Sequence, residues 1–325
     1  MVPPAEIIRF LKTRNNFLIA THLNPDGDGL GSAVALSMAL RQLGKKTLLF
    51  CKDPVPKQCR YLPGQDEFQP FEALPSPEMK GYTLILVDCN DITRIHTDKT
   101  FLSALQCDAS AVIDHHETEK RFGDERWIDP SSPATGLMIY HLVGELGAEM
   151  TEAMAANLYA AIAVDTGNFR HENTDAEVLR VAAGLVEKGA NPTTAYRQLF
   201  ESWTDGRFCL FLRVINTVDI REDISFVSVT QEMFRETSTT PDETDNFVDF
   251  PRIMERIAVS VFLRETGEGR FKVSLRSKGE VNVAKVAMAL GGGGHRNAAG
   301  CTMEGDQDSI KTRLLEMIRP LVSRS

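Results

Sequence analysis

"THLNPDGDGLGSAVAL", Thr21 to Leu36, joins an apolar run to a helical pattern through a glycine-rich turn. Two aspartates, Asp26 and Asp28, flank Gly27, and His22 stands just ahead of them. Upstream, "NFLIATH" (Asn16–His22) reads as a buried strand. Downstream, "LGSAVALSMALRQLG" (Leu30–Gly44) reads as a helix closed by a glycine. Strand, turn and helix in that order open a βαβ unit, so this stretch sets the fold class. An N-cap and a tight turn account for one aspartate. They account poorly for His22, Asp26 and Asp28 together, because carboxylates this close repel and one should keep its proton. A divalent cation removes the conflict, and mixed imidazole and carboxylate donors suit Mn²⁺, Fe²⁺ or Zn²⁺.

The alternation continues along the first half. "KTLLFC" (Lys46–Cys51), "YTLILVDCND" (Tyr82–Asp91) and "SAVIDHH" (Ser110–His116) read as strands, and Thr135–Leu146, Glu152–Val164 and Asp175–Lys188 as helices. The expected architecture is α/β, with a parallel sheet. Each apolar run ends in a polar cluster: His22 to Asp28, Asp88 to Asp91, Asp114 to His116. Ligands of open α/β sheets bind at the carboxyl ends of strands, so these clusters should converge on one edge. "AIAVDTGNF" adds Asp165 at the end of a helical stretch. Asp88, closing an apolar run, needs a partner if buried. His115 and His116 are adjacent, point in different directions and should do different jobs.

Asn191–Val218 looks helical and is expected to link two lobes. The second half changes character: Ile224–Thr230, Ile257–Glu265 and Arg270–Ser277 read as strands. An acidic run, Glu236–Asn246, is expected to be solvated loop. A helix near Val283–Leu290 leads into "GGGGHRNAAG" (Gly291–Gly300), and a last amphipathic helix covers Ser309–Leu321. The expected division is therefore a first domain over 1–189, a helical linker over 190–222 and a smaller α/β domain over 223–325.

The 325 residues carry a formal net charge of -9, with 42% apolar and 25% charged side chains. An acidic surface of this kind disfavours a broad footprint on long nucleic acid but allows a short anion in a basic cleft. Six cysteines are scattered without a C-x-x-C pair, which fits reduced thiols better than a disulfide framework. No apolar run approaches the roughly 18–20 residues of a membrane span. The first residues lack the order of a signal peptide. Cytoplasmic location without membrane contact is expected.

"HLNPDGDGLGS", "VDCND", "DHH" and "VDTGNF" resemble, in order, the four signatures of the DHH phosphoesterase superfamily. "SLRS" followed by "GGGGHRNAAG" resembles the phosphate-binding part of its DHH-associated C-terminal domain. Size and close lobe spacing look most like the subgroup of bifunctional oligoribonucleases and 3′-phosphoadenosine-5′-phosphate (pAp) phosphatases. The resemblance implies two divalent ions, usually Mn²⁺: one held by His22, Asp26 and Asp88, the other by Asp28, Asp88, His115 and Asp165. Asp88 would bridge them. Asp114 would orient a ligand histidine, and His116 would lie at the phosphate as ligand or proton donor. Arg276 and His295 would contact a substrate phosphate, with the amides of Gly292, Gly293 and Gly294 approaching it closely. Arg94 is a further candidate. Two ions about 3.5–4 Å apart clamp a phosphate and activate water for in-line attack.

The implied substrates are very short RNA, degraded to mononucleotides, and pAp, converted to AMP. No long duplex is implied, and a homodimer is left open. The competing reading is a phosphodiesterase of cyclic or linear dinucleotides. A family II inorganic pyrophosphatase shares the first four motifs but not the "GGGGH" signature. A nucleotide sensor without catalysis is disfavoured by the complete donor set.

Overall fold

The computed structural model of the chain describes residues 1–70, 79–117 and 121–322; the side chain of His295 lies outside the described set. It divides into two units, Met1–Ser202 and Trp203–Ser325.

The first unit runs α1 (Ala5–Thr13), β1 (Asn16–Ala20), α2 (Gly27–Gln42), β2 (Lys46–Phe50), β3 (Phe68–Gln69), β4 (Thr83–Val87), α3 (Lys99–Ala104), β5 (Ala109–Asp114), β6 (Glu125–Ile128), α4 (Thr135–Leu146), α5 (Glu152–Asp165), α6 (Ala176–Glu187) and α7 (Pro192–Phe200). Its six strands are all parallel, in the order β3-β2-β1-β4-β5-β6. Both sheet faces are covered, which is why these strands read as unbroken apolar runs. Phe17, Ile19, Ile85, Val87 and Ile113 face a core completed by α1, α2, α4 and α5. The alternate residues Leu18, Ala20, Leu84, Leu86 and Val112 pack under Phe50, Met79 and Phe101. Strand order reverses between β1 and β4, so the turns after these neighbours diverge and leave a crevice at their carboxyl ends.

The second unit runs α8 (Asp205–Ile215), β7 (Asp219–Arg221), β8 (Ile224–Val229), α9 (Gln231–Thr237), β9 (Val259–Gly267), β10 (Arg270–Ser277), α10 (Ala284–Ala289), β11 (Gly293–His295), β12 (Ala298–Glu304) and α11 (Gln307–Val322). Its sheet, β11-β12-β10-β9-β8-β7, is mixed: β8 and β9 are parallel and the other pairs antiparallel. Phe226, Val261, Val273 and Leu275 face α10 and α11 on one side. Val227, Val229 and Phe262 face α8, α9 and Phe247 on the other.

The stretch Asn191–Val218, expected to be helical, forms two helices, α7 and α8, and the division between the units, after Ser202, falls between them. α7 is capped by Asn191 and α8 by Thr204, whose side chains accept the Thr194 and Arg207 N–H groups. The acidic run 236–246 is not simply solvated: it forms a turn over Pro241–Thr244 with a capping box, and Thr244 is buried. Within the glycine run, Gly293–His295 pairs with Ala298–Gly300 as a hairpin. All six cysteines are free, four of them buried. Among the described residues no helix is long and apolar enough to cross a membrane.

Candidate metal centre

The crevice between β1 and β4 collects the polar clusters. Asp26 is the N-cap of α2: its Oδ1 accepts the Asp28 and Gly29 N–H groups at 3.0 and 3.1 Å. Asp28, one residue into the helix, is fully buried and points the other way. Its Oδ2 accepts the Thr135 N–H and its Oδ1 the Gly136 N–H, both at 2.7 Å, and Ser32 Oγ adds a bond of 3.0 Å. The N-cap position of α4, Ala134, offers no side-chain cap, so Asp28 supplies the anion the helix's first amides require. Glycine is needed here for close approach. A Cβ on Gly29 would stand 2.2 Å from Thr21 Oγ1, and one on Gly31 2.4 Å from the Asn157 carbonyl of α5.

Asp88 follows β4 directly, at φ 57°, in the left-handed region that Asp and Asn tolerate best among side-chain-bearing residues. Its two oxygens face different neighbours. Oδ2 is 3.3 Å from His22 Nε2; Oδ1 is 3.6 Å from both His115 Nε2 and His116 Nδ1, and accepts the Thr135 hydroxyl at 3.0 Å. His22 Nε2 is 3.9 Å from Asp26, and His115 Nε2 is 3.1 Å from Asp165 and 3.8 Å from Asp28. Donor atoms of His22, Asp26 and Asp88 lie within 4.8 Å of one another, as do those of Asp28, His115 and Asp165, and those of Asp88, His115 and His116. Every residue expected at a metal is thus in the crevice.

These groups fit divalent ions. His115 Nε2 is buried, and its 3.1 Å approach to Asp165 falls short of hydrogen-bond geometry. Both imidazoles have Nδ1 engaged by a main-chain carbonyl, His22 with Leu23 at 2.8 Å and His115 with Ser132 at 3.1 Å. That arrangement fixes the tautomer which turns Nε2 into the cluster. The electrostatics show the same need for positive charge. Burial, then Asp88 and Asp165, hold the Asp28 carboxyl well above its ordinary range. Burial pulls the His22 imidazole down, but Asp88 and Asp26 outweigh it and raise it to about 9. His115, likewise opposed by burial, is raised to about 10 by Asp165, Asp28 and Asp88. Without metal, protons on the imidazoles supply the missing cations.

Asp114, also fully buried, takes a different partner from the one expected. Its Oδ1 accepts His116 Nδ1–H at 2.8 Å and the His116 N–H at 3.2 Å. It therefore orients His116, whereas His115 is set by the Ser132 carbonyl. The Asp114 bond raises the His116 pKa against burial. Arg94 is exposed on a short turn, Ile92–Arg94, whose last carbonyl accepts the Leu23 N–H at 2.6 Å, so it borders the His22 loop. Thr135, Gly136, Ser132 and Asn90 escaped the sequence reading. They act through main-chain groups or short neutral side chains, and only the tertiary fold brings them to the cluster.

In the second unit, Arg276 is half-buried on β10, with Nη1 bonded to the Leu275 carbonyl at 3.1 Å. Register places Arg276 opposite Ala298, which lies opposite His295. The three therefore share one sheet face. A Cβ on Gly292 would meet the Gly300 carbonyl at 2.1 Å, and one on Gly294, at φ 137°, the Ala298 carbonyl at 2.5 Å. Hairpin packing alone requires those two glycines; Gly293 faces open space. Two of the basic side chains in this region are paired, Arg270 with Glu304 and Arg296 with Glu280.

A parallel-sheet unit with an Asp–His centre at its switch point, followed by a mixed-sheet unit, is what two family descriptions recognise. The DHH family, N-terminal domain, matches residues 16–162, and the DHHA1 domain matches residues 224–323. The chain belongs to the DHH family of phosphoesterases. It is 38% identical over 310 residues to the bifunctional oligoribonuclease and PAP phosphatase NrnA of Thermus thermophilus, covering 94% of this chain and 90% of that one. The protein of the same name from Bacillus subtilis is 26% identical, with 92% of each chain covered. An exopolyphosphatase-related protein from Bacteroides fragilis shares the fold, with a TM-score of 0.88, 22% identity and coverage of 98% and 96%.

Proposed function

We propose that the protein hydrolyses very short RNA to mononucleotides and converts pAp to AMP. One observation carries this reading: Asp88, central to a complete six-residue donor set, in a chain 38% identical to a protein named for these two activities. We assign His22, Asp26 and Asp88 to one divalent ion and Asp28, Asp88, His115 and Asp165 to a second. Mn²⁺ is our choice, because the oxygen-rich donor set suits it. When bound, such a pair neutralises phosphate charge and lowers the pKa of water.

The chain's own residues do the remaining work. Asp114 holds His116 by Nδ1, so Nε2 is the nitrogen assigned to the substrate. As water oxygen bonds to phosphorus, the ester P–O bond breaks with its electron pair on the departing oxygen. That oxygen takes a proton from His116 Nε2, and the proton released by water passes to solvent, from which the imidazole is restored. We assign phosphate binding to Arg276, His295, Arg94 and the amides of Gly292, Gly293 and Gly294. The cytoplasm is our expected compartment, supported by six free thiols.

The test is a turnover series in Mn²⁺ on RNA of about two to twenty-four nucleotides, with pAp and a cyclic dinucleotide alongside. Rates should be highest on the shortest RNAs, with inorganic phosphate released from pAp. Preference for the cyclic dinucleotide would reject this substrate assignment.

A further inference from the structure

Asn90 lies in the turn after β4, 6% exposed, and belongs to no donor set assigned above. Its Nδ2 donates to Asp114 Oδ2 at 2.5 Å and to the main-chain carbonyl of His116 at 3.4 Å. A carboxylate and a carbonyl offer only lone pairs, so the amide end facing them is the nitrogen. On its other oxygen, Asp114 receives the ring and main-chain N–H groups of His116. The carboxylate is thereby held on both sides, and His116 is gripped at its ring by Asp114 and at its carbonyl by Asn90. Burying an amide beside a carboxylate is costly unless every group is bonded, so a closed arrangement of this kind holds a single geometry.

We propose that Asn90 is a positioning residue: through Asp114 it fixes the direction of the His116 ring, and with it the delivery of the Nε2 proton to the departing oxygen. The inference rests on the hydrolytic reading above. Without the amide, Asp114 is free to turn about its terminal torsion and the ring follows. A misplacement of about 1 Å can cost roughly 100-fold in rate. The loss should scale with how much the leaving group needs a proton. A ribose alkoxide needs one; p-nitrophenolate leaves without.

The experiment compares the full-length wild type with Asn90→Ala and Asn90→Asp in Mn²⁺. The substrates are pAp and a nucleoside 5′-p-nitrophenyl phosphate. Asn90→Asp keeps the volume and replaces the donor by a second acceptor, so it serves if the alanine variant folds poorly. We expect kcat on pAp to fall roughly 10–100-fold, in the range of a lost general acid. KM should change less than about twofold, and kcat on the p-nitrophenyl ester less than about threefold. Equal losses on both esters, or none on either, would overturn the proposal. Nitrogen-15 spectra of the imidazoles in the Mg²⁺-loaded protein give an independent reading. In the wild type the His116 Nδ1–H signal should carry the mark of a strong, slowly exchanging hydrogen bond to Asp114, and both variants should lose it; an unchanged His116 signal would overturn the proposal as well. If the wild type hydrolyses neither ester, the hydrolytic reading fails, and the spectra still decide whether Asn90 sets the ring.

Discussion

At the scale of single residues, Asp88 does two things that pull against each other. It occupies a left-handed backbone position, and it presents one carboxylate oxygen to His22 and the other to His115. Asn keeps the backbone preference and loses the charge; Ala loses both. Asp88→Asn should therefore keep the backbone conformation and lose at least about 1000-fold in kcat, the scale on which charge stabilisation in active sites operates. Asp88→Ala should lose the activity and, in addition, about 1 kcal/mol of stability from the left-handed position. Thermal midpoints and single-turnover rates check both; an Asp88→Asn enzyme with a tenth of normal activity would refute the role given to its charge. The protonated imidazoles make a second statement. His22 and His115 are raised to about 9 and 10 in the metal-free fold, above the ordinary 6.5. Between pH 6.5 and 9–10 the native state then binds more protons than the unfolded chain, so its stability falls as pH rises. The raised Asp28 carboxyl acts with the same sign. The midpoint in chelator should drop across that window and flatten when Mn²⁺ is added. A midpoint in chelator that rises with pH there would contradict the cluster's electrostatics.

At the scale of elements, the site depends on how closely α2 lies against α5. Gly31 permits the contact, since a Cβ would stand 2.4 Å from the Asn157 carbonyl. Gly31→Ala should cost about 1–3 kcal/mol, the usual range for overpacking, despite alanine's better helix propensity. A denaturant midpoint at or above wild type would show that the helices can separate freely. Much of this layer was legible. The central strands are legible because a parallel sheet buried on both faces leaves unbroken apolar runs, although the reads Asn16–His22, Tyr82–Asp91 and Ser110–His116 run past the strand ends into the polar clusters. α2 was read as starting at Leu30 but starts at Gly27, because Gly-Asp-Gly looks like a turn until its Asp26 cap is in place. α1 and the short strands β3 and β6 were not read; the strands have too few residues to show a period. The break between α7 and α8 had a signal in Thr204, an N-cap residue followed by Asp205, that the apolar pattern overrode. The hairpin of β11 and β12 was hidden by glycines, which lower strand propensity and reveal their packing role only once Gly300 and Ala298 stand opposite.

For the molecule as a whole, most of the residues assigned to the metals stand in clusters at strand ends, because a parallel sheet gathers its carboxyl ends on one edge. What the sequence could not supply was the partner of each group. Asp114 was expected on a ligand histidine and serves His116 instead, and Asp28 was not foreseen as the anion at the start of α4. These pairings are set by distances between segments far apart in the chain. The same holds for charge: the basic stretch between Arg270 and Gly300 reads as a patch, yet Arg270 and Arg296 are committed to Glu304 and Glu280. The central claim is that one carboxylate, Asp88, serves two ions at once. The most direct measurement is a Mn²⁺ titration of the wild type and Asp88→Asn, with bound metal counted and pAp hydrolysis followed in the same samples. The wild-type chain should bind two ions, with activity appearing at the second, and the variant at most one tightly bound ion. A wild type saturated in activity by a single ion, or a variant that still binds two, would contradict it.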